Sequence, residues 1–341
     1  MKRNAYLILA AFSAISCADF GAESPPIRFD GRIAFGAVSG EGNGFVWSDI
    51  VLMDGAGNIR KISSAANCYS RRPDITRDGK KLAFTSCAQQ SNKVFIFNTD
   101  GTGVRNITND NVIEEFPTWS PDGRFLAFIS FRDGYRDIFL LNDATGGTEK
   151  VTQSDGSYWI GSWSADNASL IYYGYKVGMS SQSDVYSFEL QSRISRPLTS
   201  GTGVKMQPRI TSDATLIAYQ RNWKLHFLTA DGVVDTPVAN APDSVHDQMQ
   251  WSSRGEFLIF MAFANGRWDI YRVNRDGSGA LNLTRDSFEG YTPVLSPDDR
   301  EVAYVANTGS VAKVFIMNND GSSKRALTKL NQREFSPTWG K

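Results

Sequence analysis

Phe116-Pro-Thr-Trp-Ser-Pro-Asp-Gly-Arg-Phe-Leu-Ala-Phe128 decides how this chain folds. It reads as a strand closing on Trp119, a tight turn at Asp122-Gly123, and a second, apolar strand. Asp-Gly supplies the positive φ angles that a short hairpin turn needs. The unit recurs, and each copy ends in an apolar residue followed by a small or hydroxyl one. These endings are Ile62-Ser63, Ile107-Thr108, Val151-Thr152, Leu198-Thr199, Val238-Ala239, Leu283-Thr284 and Leu327-Thr328. They are spaced by 45, 44, 47, 40, 45 and 44 residues, and a period of about 40–45 with four strands per unit is that of propeller blades.

Within each period the first strand ends on a Trp or an aliphatic residue: Ile75, Trp119, Trp163, Ile210, Trp251, Leu295 and Trp339. Five of these strands carry proline two residues earlier, at Pro73, Pro117, Pro208, Pro293 and Pro337. Proline cannot donate to a ladder and is confined to edge strands. The prolines therefore place the first strand at the axis of a ring, where it has no inner neighbour. Phe335-Ser-Pro-Thr-Trp339 is a first strand with nothing after it, and Asp30-Gly-Arg-Ile-Ala-Phe35 is a turn and second strand with no first strand before it. Joined, they rebuild the unit. The expected fold is all-β: a seven-bladed propeller of four-stranded antiparallel blades, closed by the C-terminal strand completing the first blade and leaving no open edge. The propeller spans 27–341, with repeats at 27–63 plus 335–341, 69–108, 116–152, 158–199, 205–239, 246–284 and 291–328.

The start of the chain has a different character. Lys2 and Arg3 precede an apolar run from Ala5 to Ile15, too short to span a bilayer and basic at its start, as in a secretory signal. Ala14-Ile-Ser-Cys17 has the form of a bacterial lipobox, with Cys17 as the lipidated residue and 18–26 as a tether; cleavage after Ala18 is the alternative. The expectation is an exported protein on the periplasmic side of a bacterial membrane, held there by a lipid anchor only. Across the 341 residues, 36 basic and 36 acidic side chains balance. That argues against a nucleic-acid binder, which carries a basic excess or stripe.

The Pro-x-Trp-Ser-Pro-Asp-Gly units resemble the WD-like β-propeller repeats of the TolB family. The same repeats occur in the propellers of prolyl oligopeptidase relatives and in oligogalacturonate lyases. The resemblance covers about residues 27–341 and implies fold more strongly than function. The TolB resemblance would imply a six-bladed propeller preceded by an α/β domain, whereas the expectation here is seven repeats that leave no room for such a domain.

Turns between strands one and two and between strands three and four are tight and share one face. The longer connections, at Gly36–Ser48, Cys87–Asn92, Gly174–Ser183 and Asn240–Gln248, share the other, where binding residues are expected. Cys68 and Cys87 flank the first hairpin of the second blade on that face, so a disulfide is expected in an exported chain; two buried thiols are the alternative. The residues leading into the first strands form a ring at the axial mouth: Arg71, Arg72, Glu114, Glu115, Tyr158, Trp159, Lys205, Gln207, His246, Asp247, Glu289, Tyr291, Arg333 and Glu334. Mixed charges and aromatics suit a protein or peptide partner; the alternative is that neighbouring blades neutralise each other. Trp47, Trp223 and Trp268 add apolar area nearby. Trp119, Trp163, Trp251 and Trp339 recur in register and belong to the core. Asp49, Asp137, Asp184 and Asp269 also recur in register, which points to one local hydrogen bond repeated in several blades.

No Gly-x-Ser-x-Gly elbow and no phosphate-binding loop occur in the chain. The resemblance to oligogalacturonate lyases implies a metal held by several histidines, but the chain has only His226 and His246. The sequence therefore reads as a monomeric, non-catalytic scaffold of the cell envelope, without cofactor or metal. It would engage an envelope protein, a peptide or a glycan at the axial mouth. A lyase or hydrolase acting on an acidic glycan is the alternative.

Overall fold

Each sequence period folds as one four-stranded antiparallel sheet, and the seven sheets follow one another around an axis. The computed structural model describes residues 30–341 apart from 43–44, 64–68, 88–90, 108–111 and 286. The innermost strands are Glu334–Gly340 in blade 1, then Arg71–Ile75, Glu114–Trp119, Gly156–Trp163, Lys205–Ile210, Ser244–Trp251 and Glu289–Leu295 in blades 2 to 7. The ring closes as the repeats require. Glu334–Gly340 pairs with Arg32–Gly42 of blade 1, with Ile33 opposite Trp339, and the Trp339 indole N–H donates to the Asp30 carbonyl at 2.7 Å.

The apolar core is divided among the seams between blades. Ala34, Ile50 and Leu52 of blade 1 join Leu82, Phe84 and Phe97 of blade 2. At the closing seam Val314 and Ile316 of blade 7 meet Phe35, Val51 and Trp339 of blade 1. A sheet with both faces covered reads as a continuous apolar run, as Phe257–Ala264 does, with Phe257 to Ala262 all buried. No blade has a core of its own, so the ring stands or falls as a unit.

The hydroxyl residues that mark the repeat endings tie the fourth strand to the third. Ser63, Thr152, Thr199 and Thr284 each accept the backbone N–H of Ile50, Ile138, Val185 and Ile270, at 2.8 to 3.0 Å. In blades 3, 4 and 6 this hydroxyl also serves the in-register carboxylates: Thr152 donates to Asp137, Thr199 to Asp184 and Thr284 to Asp269. Blade 7 has Lys313 at that position. There Glu334 takes over from the next blade, accepting the Val314 N–H at 2.6 Å and the Thr328 hydroxyl.

One connection differs from expectation. Gly36–Ser48 is not an open loop, because the two strands continue as a projecting hairpin with Val38 opposite Ser48 and Gly42 opposite Phe45. A bulge between Val38 and Gly40 lets the pair twist while keeping its ladder.

Candidate functional site

The innermost strands enclose an axial channel of about 670 Å³ to which all seven blades contribute. Each of these strands is interrupted by a β-bulge or register shift, for example between Arg71 and Asp74 and between Glu115 and Thr118. In six of them a non-glycine residue at the interruption has left-handed φ: Arg72, Phe116, Gln207, Gln248, Thr292 and Ser336, from 49° to 69°. Such a backbone costs an L-residue roughly 1–2 kcal/mol, and it recurs here at one structural position. A bulge re-aims the side chain it carries. Arg72, Phe116, Gln207, Gln248 and Ser336 line the channel as a result.

Deeper in, the residue before each Trp position forms a belt: Asp74, Thr118, Ser162, Arg209, Gln250, Val294 and Thr338. Several belt side chains reach the next blade, whose innermost strand has no ladder partner on the channel side. Asp74 accepts the Trp119 N–H at 2.7 Å, Ser162 the Ile210 N–H at 2.9 Å and Gln250 the Leu295 N–H at 2.9 Å. Asp74 is enclosed by protein while its side chain still touches channel solvent, and loss of hydration pushes its carboxyl up to about 6. The Trp119 N–H, the Thr118 hydroxyl and the positive charge of Arg209 act in the opposite direction. Arg209 donates to the carbonyls of Met249 at 2.8 Å, Pro208 at 3.2 Å and Gly161.

The fourteen residues expected at the mouth separate into distinct groups. Arg72, Trp159 and Gln207 line the channel. Arg72 lies over the Phe116 ring at 4.2 Å, Trp159 stacks on Tyr173 at 5.5 Å, and the Gln207 amide donates to the Tyr173 hydroxyl at 3.1 Å. Arg71 and Glu115 form an ion pair across blades 2 and 3 at 2.6 Å. Glu114, Tyr158, Lys205 and Glu334 are buried in the seams. Glu114 pairs with Arg132 at 2.7 Å, and Lys205 with Asp184 at 2.9 Å. Tyr158 donates to Asp155, and burial together with that carboxylate pushes its hydroxyl pKa up. Burial pushes the Glu334 carboxyl up to about 7. The cause of this separation is the bulge, which breaks the period of two along the strand: the position five before the Trp turns into the seam, and the bulge residue three before it, which the unbroken period would place on the same side, turns into the channel.

The remaining five lie on the rim. Glu289 accepts the Trp268 N–H and the Tyr291 hydroxyl, both at 3.0 Å. Arg333 is exposed, and its carbonyl accepts the Val38 N–H at 2.8 Å. His246 lies between two indoles, stacked on Trp223 at 4.7 Å and edge-on to Trp268 at 4.6 Å. The Asp247 side chain is outside the described residues. Trp223 and Phe263 are 48% and 41% exposed, and Phe263 lies 5.2 Å from Trp268, so blades 5 and 6 present an aromatic lip. Cys87 is disulfide-bonded and its Sγ accepts the Tyr69 N–H at 3.1 Å; Cys68, its expected partner, lies outside the described residues, as does Cys17.

Reasoning from sequence did not single out Phe116, Gln248, Ser336, Asp74 or Arg209 as lining residues. The signal was present for four of them: Phe116 and Ser336 directly precede a first-strand proline, and Asp74 and Arg209 directly follow one.

Residues 46–247 match the family described as "TolB beta propeller domain". The Tol-Pal system protein TolB of Anaeromyxobacter dehalogenans strain 2CP-C is 34% identical over 91 residues, which is 26% of this chain and 20% of that protein. The match therefore spans a fifth of the relative's length. Among solved structures, TolB from Acinetobacter baumannii superposes with TM-score 0.59 at 15% identity, covering 91% of this chain and 82% of that one. An oligogalacturonate lyase in complex with manganese gives TM-score 0.65 at 14% identity, covering 87% and 85%. At such identities the likeness concerns the fold alone.

Proposed function

Because the chain belongs to the TolB beta propeller domain family, we propose that it is a non-catalytic binding scaffold of the cell envelope that receives a partner protein or peptide at the axial mouth. The observation that carries this reading is the ring of bulges. Six non-glycine residues sit in left-handed backbone at one level of the channel, and five of them line it. Strain kept at a repeated position is a mark of functional sites. The relatives named TolB belong to a Tol-Pal system, in keeping with an envelope role. The basic start and apolar run before Cys17 support export and lipid anchoring, and the propeller is read as a monomer.

A metal-dependent lyase is the reading that the manganese-bound neighbour would suggest. The residues present do not fit it. Among the described residues no three His, Cys, Asp or Glu side chains converge. His226 is bound to Asp235 at 2.9 Å on an outer strand, and His246 is flanked by indoles.

The test is capture of a partner from envelope extract by the wild type, followed by reconstitution with that partner purified. Arg72→Glu combined with Trp159→Ala should abolish the reconstituted complex while leaving the melting temperature in place. A complex that survives this pair of substitutions would place binding elsewhere.

A further inference from the structure

The geometry points to an anionic peptide as the ligand of this mouth: an extended segment with Asp or Glu next to an aromatic or apolar residue. The inference rests on the mouth reading above and adds the chemistry of what enters. Among the described residues of the loop face the acidic side chains have partners within the fold, the most exposed being Asp243, paired with Lys224 at 3.3 Å. Glu115 is held by Arg71 at 2.6 Å and Asn92 at 2.5 Å, and Glu114 is fully buried against Arg132. Glu289 is taken by the Trp268 N–H and the Tyr291 hydroxyl, and Glu334 by Val314 and Thr328. Within the channel Asp74 accepts the Trp119 N–H.

The cations are arranged differently. Arg136 lies against the rings of Phe131 at 5.1 Å and Trp159 at 4.7 Å and has no acidic partner among the described residues. Arg333 is exposed and likewise has none. Arg72 is exposed at the lip, over Phe116. A guanidinium stacked on a ring is held by its face, while its in-plane N–H donors keep the fork geometry that suits a carboxylate. Blades 1 to 3 thus offer positive charge, and blades 5 and 6 offer the rings of Trp223, Phe263 and Trp268. Between them Gln207 and Gln248 bring amide groups to the channel wall, which suits the amides of an extended backbone. That last feature favours a peptide over a sugar chain.

The experiment is a selection of random dodecapeptides displayed on phage against the purified protein. Recovered peptides are then measured by fluorescence anisotropy at low and high salt. The variants are Arg72→Gln with Arg136→Gln, the corresponding Glu pair, and Phe116→Ala with Trp159→Ala; circular dichroism confirms that each is folded. We expect peptides of net negative charge, about tenfold weaker binding to the Gln pair, a larger loss with the Glu pair, and weaker binding at high salt. Neutral or basic peptides that still depend on Phe116 and Trp159 would overturn the charge assignment and leave the mouth reading standing. Peptides insensitive to every mouth variant, or no peptides at all, would overturn both. Displacement of the acidic peptides by a hundredfold lower mass concentration of polygalacturonate would assign the mouth to a glycan and overturn the peptide.

Discussion

The carboxylate of Asp74 in blade 2 accepts the backbone N–H of Trp119 in blade 3 at 2.7 Å. The bond joins two innermost strands that share no ladder, and Ser162 to Ile210 and Gln250 to Leu295 repeat it farther round the ring. The channel wall is therefore held by side chains where a sheet would use its backbone. Removing a neutral acceptor isolates this effect: Ser162→Ala and Gln250→Leu should each lower the unfolding free energy by about 1 kcal/mol, read from urea midpoints. Unchanged midpoints for both would show that channel water satisfies the released N–H groups equally well.

Glu334 and Asp74 should make stability fall as the solution becomes more alkaline. The folded pKa of Glu334, about 7, lies above its reference value of 4.5, and that of Asp74, about 6, lies above 3.8. Each group therefore stabilises the fold fully below its reference pKa and loses that contribution as pH rises through the folded one. The window runs from about pH 4 to 7, and for Glu334 the shift corresponds to about 3 kcal/mol. Glu334→Gln, whose amide can still accept the Val314 N–H while the Thr328 hydroxyl turns to accept in its place, should melt higher than the wild type at pH 8. The same variant should flatten the profile between pH 5 and 8. A wild-type melting temperature that rises steadily from pH 5 to 8 would contradict this account.

Arg71 and Arg72 are neighbours with different duties. Arg71→Glu would face Glu115 across the seam between blades 2 and 3 and should cost about 1–3 kcal/mol, since it leaves the buried Glu115 carboxylate beside a like charge. Arg72→Glu, at the exposed lip, should leave the melting temperature within about a degree of wild type. Differential scanning fluorimetry of the two single variants separates them; equal effects would mean that the ion pair contributes nothing to the seam.

Closure of the ring depends on the last strand. Trp339 is buried at the seam with Val314 and Ile316, and Trp339→Ala should cost about 3–5 kcal/mol. Gly340 should tolerate no side chain, because a Cβ there would lie 2.6 Å from the Thr76 carbonyl oxygen. Hydrogen exchange should show the loss of Trp339 reaching the strands of blades 1, 2 and 7 first. Protection lost only at the C-terminus would contradict a load shared around the ring.

The fold was legible because its signals repeat: Asp-Gly turns, first-strand prolines and hydroxyl endings each recur, so one ambiguous copy is corrected by six others. The in-register aspartates were legible for the same reason, and their shared bond to Thr152, Thr199 or Thr284 is local. The mouth was harder to read. Which of Glu114, Glu115 and Phe116 faces the channel depends on one bulged residue between Glu115 and Thr118, and a single added residue reverses the side-chain alternation. The partners of Arg209 could not be read from sequence either, because they are carbonyls of Met249 and Gly161, contributed by the blades on either side.

The central claim is that partners enter at the axial mouth, and site-specific photo-crosslinking in living cells tests it most directly. Benzoyl-phenylalanine replaces Phe116 or Gln207 on the channel wall, or Ile194, which is 61% exposed on the outer strand of blade 4. Adducts to one envelope protein from positions 116 and 207, with none from 194, are the predicted result. Adducts from 194 alone would contradict it.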